Sequence, residues 1–144
     1  MLPLLNEVRD YLYENWKSVS VRANSIGSWF TLLAFQSKKV EQALLVSPIL
    51  DMKKFIELMP QREDDYYEWV VNNPITGWDV PTYILRPEVD MIVSEEIDRD
   101  FISQLGGSLV KVSRLFMLNA DPLQAGILSS RFFLNVNVGG LNES

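Results

Sequence analysis

The spacing of apolar positions changes several times along this chain, and each change marks a new element. In "LLNEVRDYLYENW", Leu5, Val8, Tyr11, Leu12 and Trp16 recur at helical spacing with Glu7, Arg9, Asp10 and Glu14 between them, which predicts an amphipathic helix. "KSVSVRAN" follows, where Val19 and Val21 alternate as in a short strand. The largely apolar run from Ile26 to Phe35 has the length and the Leu, Ala and Phe content of a buried helix. After the polar "QSKK", the continuous run Ala43-Leu44-Leu45-Val46 is flanked by turn residues, the pattern of a parallel strand covered on both faces. Met52, Phe55, Ile56 and Met59 return to helical spacing. The mixed stretch from Pro60 to Pro81 reads as a loop with a short helix around Tyr66 to Val71, and Thr82 to Leu85 reads as a strand.

"SEEIDRDFISQLGG" carries the clearest helix signals. Ser94 is placed to cap it, Glu95 and Glu96 sit at the positive end of its dipole, and Ile97, Phe101, Ile102 and Leu105 form an apolar stripe. Gly106 and Gly107 end it. "SLVKVSRLFML" then reads as one strand, and Leu134, Val136 and Val138 alternate with Asn135 and Asn137 as in a polar-faced strand near the end. Strands and helices alternate in this order, which predicts an α/β domain: a parallel sheet of about four strands with flanking helices.

A length of 144 residues suits one domain, and an apolar content of 47% is enough for a core. The formal charge of −6 disfavours nucleic acid and anionic membrane as partners, since both require clustered Lys and Arg. "MLPLLNEV" lacks the basic start of a secretory signal, and no run approaches the ~20 apolar residues of a membrane span, so the expected location is cytoplasmic. The chain has no cysteine and no histidine. Thiol chemistry and Cys-based zinc sites are thereby excluded, and the commonest metal ligand and neutral-pH base is missing. No cofactor or metal is implied.

One short pattern carries candidate chemistry. Ala23-Asn24-Ser25-Ile26-Gly27 places a serine between small residues where a strand is predicted to turn into a helix. A nucleophile elbow has this form. Its turn is sharp, so small residues are expected two before and two after the serine, whose hydroxyl is then exposed above the C-terminal edge of the sheet. The backbone N–H of Ile26 would be one oxyanion donor, helped by the helix N-terminus. The competing reading is plain helix capping by Asn24 or Ser25, residue types favoured there for hydrogen bonding alone. A variant of it has the helix N-terminus of an unrelated α/β binding domain holding an anion.

The segments around this pattern resemble the C-terminal half of an α/β-hydrolase, of the bacterial serine esterase or lipase-like type, from about Val8 to Val112. "SVSVRANSIGSWFTLLAF" is similar to that family's fifth strand, elbow and following helix, with Ala23 where glycine is usual. "VEQALLVSPILDM" resembles its sixth strand, and "WDVPTYILRPEVDMIVS" its seventh strand and the loop that carries the acid. The resemblance implies a nucleophilic Ser25, an acid at Asp90 and a small ester or acyl substrate. It would also place Tyr66, Tyr67, Trp69 and Trp78 in a substrate cap, although core or surface packing explains them equally well.

Two departures limit the expected activity. The family's first strands, whose loops supply the second oxyanion donor, would precede Val8, and its histidine would follow Val112. There the tail 113–144 diverges, reading "SRLFMLNADPLQAGILSS" with no histidine. A truncated gene, a shifted frame and a diverged tail would each produce this. A carboxylate is a weak base for a serine hydroxyl, and Lys38, Lys39, Lys53 and Lys54 fall in polar or helix-surface contexts. The resulting expectation is a serine hydrolase by descent, weakly active or inactive as this chain. The alternative is a non-catalytic interaction domain. One-way crossovers leave one sheet face open and the strand before Ser25 lacks its usual neighbour, which predicts a homodimer or larger assembly, or a folding role for the unusual tail as a cover. Glu63, Asp64 and Asp65 read as a solvated charge cluster, and Asp51 as a helix cap.

Overall fold

The computed structural model describes residues 2–59, 64–86, 95–112, 115–119 and 138–141. The chain opens with helix α1 (Leu2–Asn15), followed by strands β1 (Trp16–Val19) and β2 (Val21–Asn24). Helix α2 (Ile26–Phe35) leads to β3 (Ala43–Val46), and helices α3 (Met52–Glu57) and α4 (Asp64–Asn72) lead to β4 (Thr82–Leu85). Helix α5 (Glu95–Gln104) then precedes β5 (Leu109–Val112), β6 (Leu115–Leu118) and β7 (Val138–Leu141).

The fold is mixed α/β. Strands β2, β3 and β4 are parallel neighbours, and β6 and then β5 extend the sheet beyond β4 in antiparallel fashion, giving the order β2-β3-β4-β6-β5. The expected parallel sheet of about four strands is therefore corrected to three parallel strands plus a hairpin. "SLVKVSRLFML" is two strands, paired from Leu109↔Leu118 to Val112↔Leu115. "KSVSVRAN" also divides. At Ser20 the chain leaves β1, which pairs antiparallel with β7, and enters β2.

Register explains where the core sits. Val21, Ala43, Thr82 and Leu118 form one cross-strand row, and Ala23, Leu45, Ile84 and Phe116 the next. All eight are buried, so these rows line the core face of the sheet. The intervening row Arg22, Leu44, Tyr83 is exposed at Arg22 and buried at Leu44. Above the core face, Trp29 and Phe30 of α2 meet Trp69 of α4 at ring-centroid distances of 5.8 and 6.4 Å, and Tyr66 stacks on Trp69. Helix α1 docks on α2 through the Arg9 guanidinium, which donates to the Ala34 carbonyl at 2.7 Å, and through Tyr13 beside Phe35. Leu5 and Leu12 pack against the core as expected, but Val8 and Tyr11 are exposed, because the docked line of α1 runs through Leu2, Leu5, Leu12 and Tyr13.

The helix ends obey local chemistry. The Asp51 carboxylate accepts from the Lys54 N–H at 3.0 Å and caps α3. At the end of α5, Gly106 has φ 77°, its N–H reaches the Ser103 carbonyl and the Gly107 N–H reaches Ile102, the double closure of a glycine-terminated helix. Among the described residues no helix is long and apolar enough to cross a membrane.

Candidate functional site

The last registered residues of the three parallel strands are Asn24, Val46 and Leu85. Ser25, Ser47 and Arg86 follow them, so all three leave the sheet at the same carboxyl edge. That edge is where open α/β sheets place their chemistry.

Ser25 occupies the turn between β2 and α2 with φ 52° and ψ −126°. A residue with a Cβ avoids this region, and holding one there costs about 1–3 kcal/mol. The surrounding backbone fixes it. The Ser25 N–H donates to the Val46 carbonyl at 3.0 Å, and the Ser25 carbonyl accepts from Ile49 N–H and Ser28 N–H, each at 3.1 Å. Ser47, next in the clamping loop, is also left-handed at φ 44°, and its N–H donates to the Leu85 carbonyl at 2.8 Å.

This geometry differs from capping. A serine N-cap normally has extended backbone angles and a hydroxyl that accepts from the first turn of the helix. Ser25 has neither: its side chain makes no capping hydrogen bond, and the residue is exposed. Ile26, 41% exposed, begins α2, and its N–H belongs to the helix N-terminal set that lacks intrahelical acceptors. The strand, the sharp turn and the helix thus come together at Ser25 as in an elbow. One steric expectation is corrected. A Cβ on Gly27 would meet nothing within 4 Å among the described residues, so the turn does not require a glycine there. Ala23 is buried in the sheet's core row.

Asp90, Glu63 and Ser94 lie outside the described residues. Asp64 and Asp65 occupy the first turn of α4, where they face the positive end of its dipole. Lys38 lies over the Tyr13 ring at 5.5 Å, and Lys39, Lys53 and Lys54 are exposed, so none is desolvated as a catalytic lysine base must be. Trp78 is a core residue whose indole N–H donates to Thr82 Oγ1 at 2.8 Å, and Tyr67 donates to Glu57. Burial raises the Tyr66 phenol above its ordinary value of 10.0. A groove of about 450 Å³ between the helices is lined by Trp29, Met52, Lys54, Val70, Ile75 and Phe101 among others, and Ser25 does not line it.

Two charged residues at this edge escape a reading of the sequence. Arg86 is 5% exposed and Asp98, in α5, is 1% exposed; they form a buried ion pair. Arg86 Nη2 also donates to the Pro48 carbonyl at 3.0 Å. The one advance signal is positional. Asp98 stands four residues before Ile102 and seven before Leu105, within the apolar stripe of α5 rather than opposite it. Against known proteins, no family model matches this chain, and no curated protein or solved structure matches it.

Proposed function

We propose that this chain carries the nucleophile half of a serine acyl-hydrolase site of α/β-hydrolase type, acting on a small ester. In this reading Ser25 Oγ attacks the acyl carbon, the Ile26 N–H receives the developing oxyanion, and Asp90 is the acid that would orient a base. The alkoxide of the ester leaves with a proton, and water then releases the acid from Ser25. The observation that carries the reading is the left-handed, uncapped Ser25 at the carboxyl end of a parallel strand. The chain's weakness is its base. With no histidine in 144 residues, the Ser25 proton has no acceptor that titrates near neutrality. Turnover is accordingly weak or nil.

A fluorophosphonate probe with peptide mapping tests this. The expected result is slow modification of Ser25 that disappears in Ser25→Ala. No modification at Ser25 would sink the nucleophile assignment, and the rate of a working serine esterase would sink the missing-base account.

A second reading is an interaction domain that self-associates. It is favoured by β2, which among the described residues is an edge of the five-stranded sheet, with Arg22 and Asn24 exposed along it. The partner it commits to is a second copy of this chain.

A further inference from the structure

We infer that Arg86 is a positioning residue for Ser25, acting through the loop after β3; this rests on the nucleophile reading above. The strained turn needs an external clamp, and the contacts trace one. The Ser25 carbonyl is held by the Ile49 N–H. Ile49 follows Pro48, whose carbonyl accepts from Arg86 Nη2 at 3.0 Å. Arg86 is fixed in turn by the Asp98 carboxylate of α5. Pro48, Ile49 and Leu50 are all buried, so the loop cannot move without disturbing the core.

The chemistry of the residue fits that task. A guanidinium presents several donors in a rigid planar fork, so it can pair with a carboxylate and hold a backbone carbonyl at the same time. A buried guanidinium must satisfy its N–H donors as well as its charge, so the position of the acceptor it takes matters. This guanidinium reaches the residue adjacent to the Ser25 clamp. Ser47 N–H on the Leu85 carbonyl ties the same loop to β4, so the turn is braced from the strand that Arg86 directly follows. Helix α5 is thereby linked to the serine through one side-chain pair and one loop.

The test uses the full chain with the double substitution Arg86→Met, Asp98→Leu, which removes both charges and leaves neither buried alone. Arg86→Lys is the second variant, keeping the charge but losing the planar fork. Two readouts are taken on protein whose thermal midpoint shows it to be folded. The first is amide exchange at Ile49 relative to Ala43, whose N–H donates to the Pro81 carbonyl at the far end of the sheet. The second is the fluorophosphonate reaction at Ser25, resolved into a maximal rate and a half-saturating concentration. The expected result is Ile49 exchange faster by about tenfold with Ala43 unchanged. The maximal labelling rate falls by about a hundredfold at constant half-saturation, the signature of a misplaced reacting atom. Parental Ile49 exchange, or a parental maximal rate, in a folded variant overturns the inference. A parent chain in which Ser25 does not react removes the nucleophile reading instead, and the clamp then stands or falls on Ile49 exchange alone.

Discussion

Ser25 keeps a left-handed backbone although its hydroxyl gains no cap from it. Glycine adopts that conformation without a Cβ penalty, so Ser25→Gly should stabilise the fold by about 1 kcal/mol, the strain relieved less the extra freedom glycine has when unfolded. A urea midpoint at or below the parent's would show that the turn is not strained. Gly27→Ala should also stabilise, by roughly 0.5–1 kcal/mol, because the added methyl meets none of the described residues in the first turn of a helix; a lower midpoint would mean that the turn needs glycine after all. At this scale the sequence was informative where chemistry is local. The Asp51 cap and the Gly106–Gly107 stop follow from residue type and spacing. The Arg86–Asp98 pair does not, because it depends on how α5 rotates over the end of β4.

Among the elements, α2, α4, α5, β3 and β4 announce themselves by period and punctuation. The β5–β6 hairpin does not. Its connecting residues, Ser113 and Arg114, are not the Asn-Gly or Gly-containing pairs that mark tight hairpins, so eleven residues from Ser108 to Leu118 read as one continuous strand. Helix α1 shows another limit: spacing locates an apolar stripe but not which part of it docks. Tyr13 lies on the docked side and donates to the Lys39 carbonyl at 2.6 Å. Burial raises its phenol above 10.0, the Arg9 charge lowers it and Glu41 adds to the rise. A folded value above the unfolded one means that this stability is complete below pH about 10 and is lost as pH climbs through the raised value. Tyr66 shifts in the same direction. Stability measured from pH about 9 to 11 should therefore fall more steeply in the parent than in Tyr13→Phe, Tyr66→Phe; equal slopes would contradict the assignment.

At the scale of the whole molecule, the sheet among the described residues ends on β2, the strand that leads into the serine. The N–H groups of Val21 and Ser25 point toward β3, so by strand alternation the Arg22 N–H points away from it, along an edge that no described strand covers. If self-association uses that edge, sedimentation will show a dimer for the parent and a monomer for Arg22→Pro, which removes the outward donor and is tolerated only on an edge strand. A monomeric parent, or a dimeric Arg22→Pro, would exclude the edge as the interface. The central claim is the proposal that Ser25 is a nucleophile lacking only a base, and it is tested most directly by supplying one. The rate of Ser25 phosphonylation is measured against imidazole concentration at neutral pH, with Ser25→Ala as control. An elbow serine that lacks only a proton acceptor will react faster in proportion to imidazole, and Ser25→Ala will not react at that position. A rate at Ser25 that stays at zero, or stays flat across the imidazole series, would contradict the account.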